Sequence, residues 1–328
     1  MSRDGVTTKP PVAPTATSPA GPGGPTPGGR PGRMGLIRSE ILKIRTTNTW
    51  WLFLIGIGVA VLGALAVWML LGHFTIEEAE RVAGQPFVPP EGVPDGVLAE
   101  LEREHERSQD ITRTLNQVAA WIYPAGRLFG AMFSMLLGIL VVTNEFRHQT
   151  ATATFLTTPT RGRVVAGKLA ATIIGAGFFW LAASVVSLAA GAIFFAIEGY
   201  GPQLGEWPVL RAILLNGVAY GLWGVIGVGL GAIMRNQLAA VLVGGLTYLI
   251  GGGVVTQLIV PLLLFVVGWE WIVDVMVAWP GVATSIMISP EPILAGAPDW
   301  WVGALVLIGY AVLASVIGST LIRKRDIS

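Results

Sequence analysis

The chain alternates long apolar runs with short polar ones, and the runs are too long and too uniformly apolar for the helices of a soluble core. A hydrocarbon layer of about 30 Å takes ~20 apolar residues in a helix. Six stretches meet that length: Trp50–Gly72, Trp121–Thr143, Val164–Ile197, Val209–Met234, Leu238–Val267 and Trp301–Ile322. The third and fifth exceed it and are expected to tilt, kink or run past the bilayer. Gly251-Gly252-Gly253 and Pro261 are the natural break points in the fifth. The polar stretch 73–120 separates the first two spans. In it Leu98, Leu101, Ile111, Leu115 and Val118 recur at helical spacing, which predicts an acidic helix over Asp95–Val118 standing outside or folding against the second span. Ahead of the first span, Met34–Thr47 sets Ile37, Ile41 and Ile44 on one stripe, with Arg38, Lys43 and Arg45 elsewhere. That is the pattern of a basic amphipathic helix lying in the headgroup plane.

Composition strengthens the membrane reading. Of 328 residues 53% are hydrophobic and 12% charged, where a soluble domain carries about a quarter charged. Residues 1–33 are rich in Pro, Gly, Thr and Ala without apolar periodicity, which predicts a disordered tail ahead of one transmembrane domain over 34–325. No apolar run of the about 7–15 residues typical of a secretory signal lies in that tail, so the first span is expected to stay as an anchor. The chain has no cysteine, which removes disulfides, thiolate metal sites and cysteine nucleophiles. His73, His105 and His148 are far apart in sequence, a poor pattern for a metal cluster.

The charges are sorted by location. With the N-terminus inside, the cytoplasmic segments hold fifteen of the 21 basic residues and the outer ones sixteen of the 20 acids. The stretch from Gly268 to Trp300 has no Lys or Arg at all. By the positive-inside rule both termini are cytoplasmic. The fold class expected is therefore an all-α integral membrane protein with six transmembrane helices and an N-terminal interfacial helix, a multi-pass protein of the plasma membrane.

The segment Asn144–Lys168 then becomes a cytoplasmic protrusion. It carries Arg147, Arg161, Arg163 and Lys168 against one acid, Glu145, together with several hydroxyls and the apolar pair Phe155-Leu156. Gly162 to Lys168 imitates the phosphate-binding pattern G-x-x-x-x-G-K, but Leu169 stands where Ser or Thr must hold magnesium and no strand precedes it. Lys168 is read instead as a basic anchor at the membrane surface. No H-E-x-x-H or G-x-S-x-G pattern is present, so no catalytic, metal-binding or cofactor-binding residue is assigned. Arg127, about four residues into the second span, is expected to snorkel to the interface. Glu270 and Asp274 beside Trp269, Trp271 and Trp279 read as an interfacial aromatic belt. Gly126/Gly130, Gly217/Gly221 and Gly227/Gly231 are spaced by four, which permits close helix approach within the bundle or between subunits.

On these residues the chain resembles the permeases of ABC-2-type transporters. Glu145-Phe-Arg-His-Gln-Thr150, then Phe155-Leu-Thr-Thr-Pro159-Thr-Arg161 and Lys168, is similar to the first cytoplasmic loop of that family. The short turn Arg235-Asn236-Gln237, the basic helix with Arg38, Ile41, Lys43, Ile44 and Arg45, and the six-span topology resemble it too. The enlarged outer loop is similar to that of bacterial, particularly actinobacterial, members. The resemblance implies an exporter of two permease copies or paralogues and two cytosolic ATPase subunits, with ATP-Mg on the partner. Asn144–Arg161 would form the coupling helix. Glu145 and Arg147 would supply polar contacts, Phe155 and Leu156 the apolar anchor, and Pro159 the turn back, with Thr150 and Arg161 in the same coupling loop. It implies no nucleic-acid partner.

Two other classes compete. A secondary, ion-coupled transporter needs acids in its spans or repeated broken helices, and the sequence offers little of either. A non-transporting membrane assembly subunit would be indifferent to an ATPase. The orientation is testable because the chain lacks native thiols. Cysteine at Thr157 should react with a membrane-impermeant maleimide only after cells are opened, and cysteine at Glu102 should react in intact cells. Labelling of position 157 from outside would overturn the topology.

Overall fold

The computed structural model describes residues 33–90, 92–147, 161–234, 236–259, 262–263, 266–267, 275–290 and 298–324. The tail 1–32, Pro261 and residues 268–274, with their tryptophans and acids, lie outside the described residues. Among the described residues ten α-helices follow in order: α1 (Arg33–Thr46), α2 (Thr49–Val82), α3 (Asp95–Ser108), α4 (Ile111–Ile122), α5 (Arg127–Arg147), α6 (Arg161–Ile197), α7 (Trp207–Ile233), α8 (Gln237–Tyr248), α9 (Pro280–Ile288) and α10 (Trp300–Lys324). α8 runs on as a π-helix over Leu249–Ile259. No strand occurs among the described residues. Among the described residues six helical segments are long and apolar enough to cross a membrane, so the chain is a multi-pass helical membrane protein.

The second and fourth of these segments form the interior. α5 and α7 meet along a seam of glycines. A Cβ on Gly227 would fall on the Met135 carbonyl, one on Gly231 within 2.8 Å of the Ile139 carbonyl oxygen, and one on Gly138 on the Gly224 carbonyl. Helices in lipid associate through such close contacts because burial away from lipid tails gains little. Gly130 lies under the Tyr220 ring, whose hydroxyl donates to the Gly126 carbonyl at 3.1 Å. Gly217 faces the Trp180 indole, while a Cβ on Gly221 would meet nothing within 4 Å. Thus five of the six paired glycines serve contacts within the chain.

Four expectations change. The first span continues ten residues past Gly72 to Val82, where Glu77, Glu78 and Glu80 can remain helical in water. Its extension is tied to the α6–α7 connection by His73 with Glu198 at 2.9 Å and Tyr200 with Glu80 at 2.6 Å. The single acidic helix expected over Asp95–Val118 is two helices. Asp110 divides them because its carboxylate caps α4, accepting from the Thr112 and Arg113 amides at 3.0 and 3.2 Å. α4 then leads into the second span through a turn at Pro124, and its buried Leu115 and Val118 belong to the common core.

The stretch expected to be an outer loop, Gly268 to Trp300, contains a helix among its described residues. α9 buries seven of its nine residues. Its Thr284 accepts from the Trp223 indole at 3.1 Å, and Gly303 of α10 lies against its backbone. At ~1.5 Å per residue it is too short to cross a bilayer. The break expected at Gly251–Gly253 takes the form of the π-helix. The widened turn places Gly251 where the Trp279 ring takes the space of a side chain. Arg127 is half-buried at the start of α5, with Tyr248 as its ionisable neighbour.

The seam gives a contrast between two glycines of one helix. Gly227→Ala must displace α5 backbone and should lower stability by about 1–3 kcal/mol, the cost of overpacking. Gly221→Ala, which meets open space, should stay within about 0.5 kcal/mol of the parent. Thermal unfolding in detergent micelles, followed by tryptophan fluorescence, separates the two.

Candidate functional site

At the end of the bundle where α1, the last turn of α5 and the first turns of α6 meet, four ionisable side chains form a closed ring. Lys43 lies 2.7 Å from Glu40 Oε1 and 2.8 Å from Glu145 Oε1. Lys168 lies 3.0 Å from Glu40 Oε2 and 2.8 Å from Glu145 Oε1. A third bond from Lys168 Nζ reaches the Val141 carbonyl at 3.0 Å, so all three of its donors are used. Two lysines and two glutamates make the ring neutral. Glu40, Glu145 and Lys168 are buried, while the Lys43 side chain is 46% exposed.

The local sequence accounts for the ring. Glu40 and Lys43 are three residues apart on α1 and so share a face. That face also carries Leu36, which is buried and sits 3.4 Å from the position of a Cβ on Gly167 in α6. The glycine lets α1 lie close enough for Glu40 to reach Lys168, the next residue. Glu145 extends from the last turn of α5 to both lysines. Partial burial opposes the charge on Lys43, but Glu145 and Glu40 outweigh it and hold the ammonium above its ordinary value. Its stabilising contribution is therefore complete at neutral pH and is lost only as pH rises through that elevated value.

A second polar contact lies beside the ring. Gln237, the first residue of α8, donates to Asn144 Oδ1 at 3.0 Å, and Asn236 caps α8 by accepting from the Ala239 amide at 3.2 Å. The structure thereby joins one member of each predicted polar group: Lys43 of the N-terminal helix, Glu145 at the start of the loop, and Gln237 of the second turn through Asn144. Arg147 ends α5 and Arg161 begins α6. Thr150, Phe155, Leu156, Pro159 and Arg235 lie outside the described residues. On α1, Arg38 and Arg45 are exposed, and Ile41 and Ile44 are half-buried.

Two corrections follow. Lys168 is a buried ring member and not a surface anchor, because α1 covers it. Glu145 directs its carboxylate into the chain. Glu40 was not singled out by the sequence reading, although a signal existed: it is the sole acid between Asp4 and Glu77. Residues 162–169, the imitation of a phosphate loop, are helical throughout.

The ring makes a double-substitution test. Lys168→Met leaves two buried carboxylates to one half-exposed lysine and should cost about 3–5 kcal/mol of stability. Adding Glu40→Leu restores one lysine to one glutamate, Lys43 with Glu145, and should recover most of the loss. Denaturation midpoints of the two single variants and the double variant measure this coupling, and strictly additive losses would refute it.

No protein-family model and no curated protein matches the chain.

Proposed function

We infer that the chain is the transmembrane permease subunit of an ABC-2-type exporter in the plasma membrane. Both termini are cytoplasmic, and α1 is a basic helix at the inner interface. ATP-Mg is bound and hydrolysed by a separate cytosolic ATPase, and a second copy or a paralogue completes the membrane unit. The observation that supports this reading best is the ring, which fastens α1 to both arms of the loop 148–160. Force applied to that loop would reach α5, α6 and α1 as one body, with little lost in independent rotation of each helix. In this reading Phe155 and Leu156 anchor the loop in the ATPase, Arg147, Thr150 and Arg161 make polar contacts around them, and Glu145 positions the loop from within.

Affinity purification of the tagged chain from its native membranes tests the reading. An ATPase should co-purify, and Phe155→Ala with Leu156→Ala should reduce its recovery about tenfold or more, as expected for loss of an apolar hot spot worth over 1.4 kcal/mol. The thermal midpoint of the chain itself should not move. Recovery of the chain free of any ATPase would overturn the assignment. Transport that survives an inactive ATPase but collapses with a protonophore would assign a secondary transporter instead.

A further inference from the structure

Beside the ring, a cleft of about 250 Å³ opens between α1, the first turn of α2 and the last turns of α5. That is room for roughly eight water molecules at ~30 Å³ each. Its rim and its floor differ in chemistry. The rim carries Lys43, Thr46, Thr49 and Trp50, beside Asn144 and the carboxylates of Glu40 and Glu145 that the two ring lysines neutralise; the floor is Leu137, Leu140 and Val141 of α5. The Trp50 indole donates to the Arg45 carbonyl at 3.1 Å, which fixes that ring as a wall.

Three observations bear on the occupant. The solvent-facing side of α1 is cationic, with Arg38 and Arg45 exposed and Lys43 half-exposed. Its only acid, Glu40, is buried and committed to two lysines. The first turn of α2 contains no acid, and Asn48 ahead of it gives no side-chain cap, so that end of the helix remains electropositive. An anion is therefore favoured at the rim and an apolar chain on the floor. A free anion would leave the floor bare, and an uncharged amphiphile would leave the rim unused.

We propose that this cleft binds one anionic phospholipid of the surrounding leaflet. Its phosphate lies against the Lys43 ammonium and the start of α2, and part of one acyl chain lies along Leu137, Leu140 and Val141. The lipid would complete the shell around the charge ring on its one open side, since Lys43 is the member with the exposed side chain. The inference rests on the membrane-spanning fold and not on the transport reading.

The test is native mass spectrometry of the full-length chain released from nanodiscs of mixed phosphatidylglycerol and phosphatidylcholine. One phosphatidylglycerol should remain bound at activation energies that strip phosphatidylcholine. Lys43→Gln should lower its retention about fivefold, one basic residue's share of attraction to an anionic headgroup. Leu140→Phe, which fills the floor and keeps every charge, should lower it to a similar extent. Arg81→Gln, at the far end of α2, should leave it unchanged and so controls for net charge. Equal retention of the two lipids, or full retention in the Leu140→Phe variant, overturns the proposal. Displacement by millimolar inorganic phosphate would show a free-anion site and overturn it too. If Lys43→Gln does not fold, the headgroup comparison and Leu140→Phe still decide.

Discussion

Along the seam between α5 and α7 the contact is backbone against backbone, because Gly138, Gly224, Gly227 and Gly231 hold the two helices closer than any side chain would allow. In a bilayer such contact replaces the hydrophobic drive that assembles a soluble core. The neighbouring helices take their places from this pair. α10 lies against α7 where Gly229 meets Ala314 and where a Cβ on Gly318 would come within 3.1 Å of Gly229 Cα. α8 reaches α5 through Gly244, whose Cβ would approach Ile139 Cδ1 at 2.7 Å. The interior is fixed by what its residues lack.

The charge ring stands on that interior. Taking an ion out of water costs several kcal/mol unless each charge is matched and each donor used. The ring meets both conditions, and the final donor of Lys168 goes to a carbonyl of α5 itself. Its members come from three places in the sequence, at 40 and 43, at 145 and at 168. Loss of the α5 or the α6 member would strand a charge, whereas α1 brings one lysine and one glutamate and so docks without changing the balance of Glu145 with Lys168. The π-helix and α9 contribute packing toward the opposite termini of the same spans, without ion pairs among their described residues.

The spans were legible because length and hydropathy of a crossing helix follow directly from the thickness of hydrocarbon. Their ends were less so. Residues 73–82 are too polar for lipid yet good helix formers in water, and hydropathy cannot see a helix that has left the membrane. α9 escaped because a nine-residue segment, with Thr284 and Ser285 at its centre, forms no apolar window long enough to register. The ring escaped for a different reason. The positive-inside rule explains any lysine near the end of a span, so Lys168 gave no sign of being buried. Its burial depends on α1 lying over it, a tertiary event that Leu36 and Gly167 permit. The site's outline, with α1, Glu145 and Gln237 grouped by orientation, was readable; its inward-facing electrostatics were not.

α9 has a consequence for biogenesis. A nine-residue helix is too short to span the bilayer, and its partners lie on α7 and the π-helix, which precede it in the chain, and on α10, which follows it. Its burial is therefore completed only once α10 has entered the membrane beside it. Insertion and completion of the fold are separate events in time, and a chain interrupted before Trp300 would hold five spans in the bilayer with the apolar face of α9 still seeking cover.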